Sequence, residues 1–230
     1  MTAALARTQG KRAAPARAKA KAAPEALRDA ARTQQALLAA AEAEFADKGL
    51  SGARVDVIAE RSSTNKRMLY YYFGSKENLY LAVLERAYSA MRSAERALNL
   101  TDLGPLEAIK ALVEFKFDYF LKNPAIIALL SGENMLGARY LKRSEQLDEM
   151  HVSLIGILRK IIAAGEKQGL LKPGLDPLHL YISISALNYF YYASSATLTT
   201  VFGRNLASPA ERKLRRAHAI EVILDYVRAR

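Results

Sequence analysis

The chain predicts an all-α fold, and three observations carry that reading. From Ala26 onward apolar residues recur at helical spacing, with almost no alternating, strand-like stretch. Breakers then cut this helical text at Gly49, Gly74, Asn99 to Pro105, Asn123-Pro124, Gly132 to Gly137, Gln168 to Pro177 and Gly203 to Pro209, which delimits about nine helices. Pro105, Pro124, Pro177 and Pro209 each stand where a helix would start, the helical position proline tolerates best.

The first element is a tail rather than a helix. Residues 1–24 hold Arg7, Lys11, Arg12, Arg17, Lys19 and Lys21 and no acid, so they supply +6 of the formal net charge of +11. With Ala, Pro15 and Pro24 between the charges, residues 1–26 lack the apolar periodicity to fold alone and are expected to form a disordered basic arm. Two readings stay open: an arm lying along phosphates or in a minor groove, and a solvated tail that adds only solubility.

Thr33 to Leu50, TQQALLAAAEAEFADKGL, is an amphipathic helix, with acids such as Glu42 and Glu44 placed in registers that read as solvent-facing. Val55, Ile58 and Ala59 then fall at i, i+3, i+4 and give a short second helix one packing face. Ser62-Ser63-Thr64-Asn65 competes with helix through side-chain bonds to the backbone, ends that helix and offers Asn65 as a cap for the next. In the third helix Leu69 and Phe73, at i and i+4, would anchor to a core and leave Lys66, Arg67 and Met68 facing outward. Gly74-Ser75 closes it, with Ser75 an N-cap for a long helix opening Lys76-Glu77-Asn78. Two short helices, a polar turn and outward basic residues at the front of the second form the layout of a helix-turn-helix, which presents such residues to base edges in the major groove.

These residues resemble the DNA-binding domain of the TetR family of bacterial transcriptional regulators. The likeness covers about residues 33–85, through F-A-x-K-G closing the first helix, I-A-E-R in the second, L-Y-Y-Y-F in the third and G-S-K-E opening the fourth. Within the family, the G-L-S-G-A-R and L-Y-Y-Y-F-G-S-K-E-N-L-Y wording is most similar to regulators of pyrimidine catabolism. The resemblance implies a helix-turn-helix domain over 27–80 and a helical effector-binding and dimerisation domain over 81–230. It implies phosphate contacts at Tyr70, Tyr72 and Lys76, and a DNA-facing set that also holds Arg54, Asn65, Lys66, Arg67, Met68 and Tyr71. Three departures stand out. Ala53 replaces a common Thr at the mouth of the second helix. Ser62-Ser63-Thr64-Asn65 replaces Ala-Gly-Val-Ser, so Ser63 needs either negative φ or some strain. Met68 replaces a Thr, which alters a base contact.

In the remaining helices Phe115, Phe117, Tyr119 and Phe120 crowd the stretch before Asn123, Glu133, Asn134 and Met135 lie at a glycine-bounded break, and His151 sits on the long helix ending near Lys167. Phe117, Met135, His151 and Tyr191 are the candidate lining of an effector pocket, since a mixed aromatic and polar lining suits a small, partly apolar ligand. Plain core packing explains the same aromatics. Asp176 to Val201 carries Leu180, Ile184, Leu187 and Tyr191 on one stripe and Tyr181, Ser185, Asn188 and Tyr192 on the next, and the last helix carries Ile220, Ile223, Leu224 and Val227. Ile184, Leu187, Ile220, Ile223, Leu224 and Val227 are the candidate dimer interface, because the family's last two helices form a four-helix bundle across a two-fold axis. Without the resemblance, the stripes would be assigned to the monomer's own core.

Composition bounds the alternatives. The chain has no cysteine, hence neither disulfide nor thiolate chemistry. No apolar run approaches the roughly 18 residues of a membrane span, and the basic N-terminus lacks the apolar core of a secretory signal. The expectation is a cytoplasmic protein with no membrane partner. His151, His179 and His218 fall on three helices without a partner at i+3 or i+4, and no serine has a G-x-S-x-G context. Neither a catalytic residue nor a metal site nor a cofactor is expected. The reading is therefore a ligand-responsive DNA-binding regulator, a repressor that binds an inverted-repeat operator in double-stranded DNA as a homodimer and is released by a small-molecule effector. Two other classes compete: an architectural DNA-binding protein with little sequence preference, and a helical small-molecule-binding protein or enzyme.

Overall fold

The computed structural model describes residues 25–229, and the side chains of residues 28–145 and 154–229. The basic arm expected over residues 1–26 falls almost wholly outside them. Ten α-helices follow: α1 Glu25–Gly52, α2 Val55–Arg61, α3 Lys66–Phe73, α4 Lys76–Arg96, α5 Pro105–Lys122, α6 Pro124–Met135, α7 Gln146–Lys167, α8 Pro177–Ala193, α9 Ser195–Phe202 and α10 Pro209–Val227. Short 3-10 turns at Leu100–Asp102 and Leu141–Arg143 link α4 to α5 and α6 to α7. There is no strand among the described residues, only an isolated bridge between Leu171 and Arg228.

The expected boundaries follow from local chemistry. Pro105, Pro124, Pro177 and Pro209 all open helices, and the side chains of Asn65, Ser75, Asp176 and Ser208 each accept a backbone N–H from the first turn beyond them. Gly49 interrupts α1 with φ 64°, ψ 176°, a conformation open to glycine. The tenth helix arises from a break the sequence reading missed: Asp176 to Val201 is two helices, divided at Ser194 with φ −107°, ψ 4°. Gly132, by contrast, breaks nothing and lies inside α6, the turn falling later at Gly137 with φ 64°.

Two large cores form. Leu37, Ala41, Phe45, Ile58, Leu69, Leu79, Tyr80 and Val83 join α1 to α4, and Leu129 of α6 packs into the same cluster. Phe45 and Tyr80 meet edge to face at 5.1 Å between centroids. The second core gathers Leu112, Val113, Leu158, Ile161, Leu180, Ile184, Ile223 and Val227 from α5, α7, α8 and α10. A smaller cluster of Met91, Phe120, Ile126 and Ile127 lies where α4, α5 and α6 meet. Arg216 fastens α10 to α5, reaching both oxygens of Asp118 and one of Glu114 at 3.1 Å each. The chain end is held by Lys172 N–H to Val227 O at 2.9 Å and Ala229 N–H to Leu170 O at 3.1 Å.

Candidate DNA interface and the cavity behind it

α3 is locked inward chiefly by one residue. Leu69 is wholly buried, Phe73 packs partly against the same core, and Arg67, Tyr70 and Tyr71 are exposed. The Asn65 side chain accepts the Met68 N–H at 3.0 Å, so its carbonyl oxygen serves the helix while its amide nitrogen stays available. Lys66 ion-pairs with Asp56 of α2, while Arg67, also in the first turn, makes no ion pair among the described residues. Met68, expected to face outward, is half-buried. Tyr72 is half-buried too and meets Tyr71 edge to face at 5.3 Å. Lys76 donates to the Ser51 carbonyl at 3.4 Å and so stands beside the end of α1.

The turn between α2 and α3 resolves the open alternative at Ser63: its φ is 53°, in the left-handed region. Ser62 stabilises the turn by donating to the carbonyls of Ile58 and Ala59 at 2.8 and 3.0 Å, and it bonds Thr64 at 2.9 Å. The start of α2 is supported in a way the sequence did not suggest. Arg54 caps α2 without a side-chain bond, and Glu44 takes its place: Glu44 Oε1 accepts the Arg54 N–H at 3.2 Å while Oε2 pairs with Arg61 at 3.1 Å. The solvent-facing register expected for Glu42 and Glu44 is therefore wrong. Glu44 is buried because α2 crosses over it, and Glu42 is half-buried against Arg86 of α4.

Behind this unit, α4, α5, α6 and α8 line an open pocket of about 320 Å³. Its wall carries Tyr88, Met91 and Arg92 from α4, Lys116 and Phe120 from α5, and Tyr181, Ser185 and Tyr189 from α8. Arg92 and Lys116 are buried and both ion-pair with the buried Glu95. Burial works against the Arg92 charge, but the Tyr181 oxygen and the Glu95 carboxylate outweigh it and hold the guanidinium pKa above its ordinary value. The residues proposed from sequence for an effector pocket are not gathered here. Phe117 and Tyr191 do meet, at 6.0 Å between ring centroids, but as packed core. Met135 is 89% exposed because it ends α6 beyond the last packed turn. His151 lies on α7, and its side chain is outside the described residues. Glu133, placed by sequence at a break, is buried within α6 and holds the following loop by accepting the N–H groups of Tyr140 and Leu141 at 2.7 and 3.0 Å. Local spacing could not announce the Arg92, Glu95, Lys116 and Tyr181 cluster, since only the first two share a helix.

Half of the expected interface stripe turns inward, and Leu187 lines a groove on the exposed side. Ile184, Ile223 and Val227 are buried inside the monomer, and Leu187, Ile220 and Leu224 pack against that core. An all-round apolar helix conceals which side turns inward. The exposed apolar face of α8, α9 and α10 is instead formed by Ile182, Phe190, Val201, Phe202, Leu214, Val222 and Tyr226. Two grooves of about 470 and 630 Å³ open on this face, with Phe190 and Arg215 shared by both.

Comparison with known proteins adds family relations. Residues 37–83 match the family described as bacterial regulatory proteins, tetR family, and residues 105–223 match the tetracyclin repressor-like C-terminal domain. The chain is 36% identical over 176 residues to the HTH-type transcriptional repressor NicS of Pseudomonas putida, covering 76% of this chain and 83% of that one. It is 34% identical over 173 residues to the HTH-type transcriptional regulator RutR of Escherichia coli O157:H7, covering 75% and 80%. Among solved structures, the transcriptional regulator SCO4942 of Streptomyces coelicolor superposes with a TM-score of 0.66 at 26% identity, over 86% of this chain and 99% of that one. The ketosteroid transcriptional regulator KstR2 of Mycobacterium tuberculosis shares the fold, with a TM-score of 0.62 at 19% identity over 86% and 95% of the two chains.

Proposed function

The chain belongs to the TetR family of bacterial regulatory proteins and is a DNA-binding transcriptional regulator, and on that premise we propose that it is a homodimeric repressor released from an inverted-repeat operator by a small-molecule effector. The observation that carries the reading is the posture of α3. Leu69 fixes the helix to the core, and Arg67, Tyr70 and Tyr71 stand in solvent on the other side. Arg67, with Asn65 and Lys66, would read base edges from the first turn, while Arg54, Tyr70, Tyr72 and Lys76 would grip phosphate. Met68 and Tyr71 flank the reading edge.

A two-fold dimer sets two such readers at a fixed spacing on successive major-groove faces. The exposed apolar face of α8, α9 and α10 is the surface such a dimer would cover, since a monomer rarely leaves so large an apolar patch in water. The cavity between α4, α5, α6 and α8 is the effector site in this reading. Selection of genomic fragments by the purified protein tests it. One recovered palindrome, with transcription from its promoter falling as protein is added, supports a repressor. Rising transcription would make it an activator, and fragments without a shared palindrome would favour an architectural protein. The relatives, all transcriptional regulators, weigh against an enzyme.

A further inference from the structure

The pocket between α4, α5, α6 and α8 is lined by positive and not by negative side chains among the described residues. Arg92 and Lys116 are buried there, and Glu95 is the carboxylate that pairs with both. Glu133, the neighbouring buried acid, commits Oε1 to the Tyr140 and Leu141 N–H groups, and its charge still reaches Tyr88 of the same wall. Among the described residues, the ion-paired cluster sets two cations against one carboxylate, in surroundings where an uncompensated charge is costly.

Donors converge on the same space. Arg92 Nε and Ser185 Oγ are buried and make no hydrogen bond among the described residues. The Tyr181 hydroxyl accepts from Arg92 Nη2 and Lys116 Nζ, each at 2.8 Å, which uses both its lone pairs and leaves its own hydrogen to donate. Tyr181 and Ser185 are one turn apart on α8, hence on the same face, and both line the cavity with Arg92. Tyr88, Phe120 and Tyr189 supply aromatic walls, and about 320 Å³ is at the small end of ligand cavities.

We propose that this cavity takes a small organic monoanion, a carboxylate on a flat ring or short apolar chain, whose oxygens accept from Arg92, Tyr181 and Ser185 and whose charge balances Lys116. The proposal rests on the reading of this cavity as the effector site and narrows its ligand class. A neutral cyclic amide such as uracil leaves the excess charge uncompensated and is the poorer fit, although the DNA-reading half resembles regulators of pyrimidine catabolism.

Calorimetric titration of the full-length protein tests this with benzoate, phenylacetate and cyclohexanecarboxylate, each beside its primary amide, and with uracil. At least one acid should bind one per protomer and at least tenfold tighter than its amide, with uracil no better than the amides. Lys116→Met leaves Arg92 and Glu95 as a balanced pair and should abolish the preference for acid without lowering the melting temperature. Should that variant fail to fold, Ser185→Ala keeps every charge and should weaken the acid several-fold and the amide less. Acids binding no better than amides, uracil outbinding every acid, or an undiminished acid preference in the folded variants would overturn the proposal. The genomic selection described above separates the two ideas. A recovered palindrome with no acid preference sinks this inference alone, and an acid preference without a palindrome sustains the site while sinking the inverted-repeat repressor reading.

Discussion

Glu44 and Arg54 are joined by a hydrogen bond that starts the second helix: the Arg54 backbone N–H donates to Glu44 Oε1 at 3.2 Å. The same carboxylate pairs with Arg61 at the far end of that helix. One buried acid of α1 thus fixes both ends of α2, and through α2 the angle at which α3 is presented. Glu44→Ala removes an acceptor from a partly buried N–H and a partner from Arg61. A loss of about 1–3 kcal/mol in urea unfolding is expected, with a smaller loss for Glu44→Gln, which keeps the acceptor oxygen. Equal stability for wild type and Glu44→Ala would show that α2 is held by its apolar face alone.

Ser63 carries strain that glycine would relieve. Its φ of 53° crowds its Cβ against the backbone. The gain from removing the Cβ exceeds the extra flexibility that glycine brings to the unfolded chain, so Ser63→Gly should stabilise by about 0.5–1 kcal/mol. Urea denaturation gives the sign, and DNA affinity should not change, because Ser63 is in the turn rather than on the reading edge.

Arg67→Ala and Lys76→Ala should fail differently on DNA. Arg67 is exposed in the first turn of α3, and its loss is expected to cost about 1–3 kcal/mol on operator and relax specificity at one position per half-site. Lys76, beside the Ser51 carbonyl at a helix start, should weaken operator and random DNA alike and flatten the salt slope by about one. Fluorescence anisotropy across a salt series reads both. If Arg67→Ala weakens random DNA as much as operator, Arg67 is a phosphate contact.

What the sequence disclosed was what short-range chemistry decides. Asn65 and Ser75 could be named as caps because a cap bonds a backbone group three residues away. Pro105 or Pro209 could be named as a helix start because proline's constraint is its own. Glu44 could not be placed, since its burial depends on α2 crossing it. The face of α8 was equally hidden: LHLYISISALNYFYYA is apolar nearly all round, and only packing against α5 and α10 decides that Ile184 turns inward and Phe190 outward.

That division gives a contrasting pair. Ile184 is fully buried, so Ile184→Ala should destabilise the protomer by about 2–5 kcal/mol through the cavity it leaves. Phe190 is 56% exposed, so Phe190→Asp should leave each protomer folded and shift the protein from dimer to monomer in sedimentation. A Phe190→Asp protein that remains dimeric would move the interface off this face.

Lys76 and Arg92 are on one helix, α4, which has neither glycine nor proline between them and so carries displacement as a rod about 24 Å long at 1.5 Å per residue. At one end Lys76 adjoins the reader, and at the other Arg92 is in the cavity wall. A ligand that drew on Arg92 would then move α4, and α4 would move the reader through Leu79, Tyr80 and Val83, which share the core with Ile58 and Leu69. In a dimer a small tilt changes the spacing between two readers and breaks their fit to successive grooves, with no local unfolding required. The coupling expected is about 1–3 kcal/mol, and by linkage it must be the same in both directions. Operator DNA should weaken effector binding by the factor with which effector weakens operator binding, and titrations with and without operator measure it. Identical effector affinities in the two titrations would show that α4 does not transmit the change.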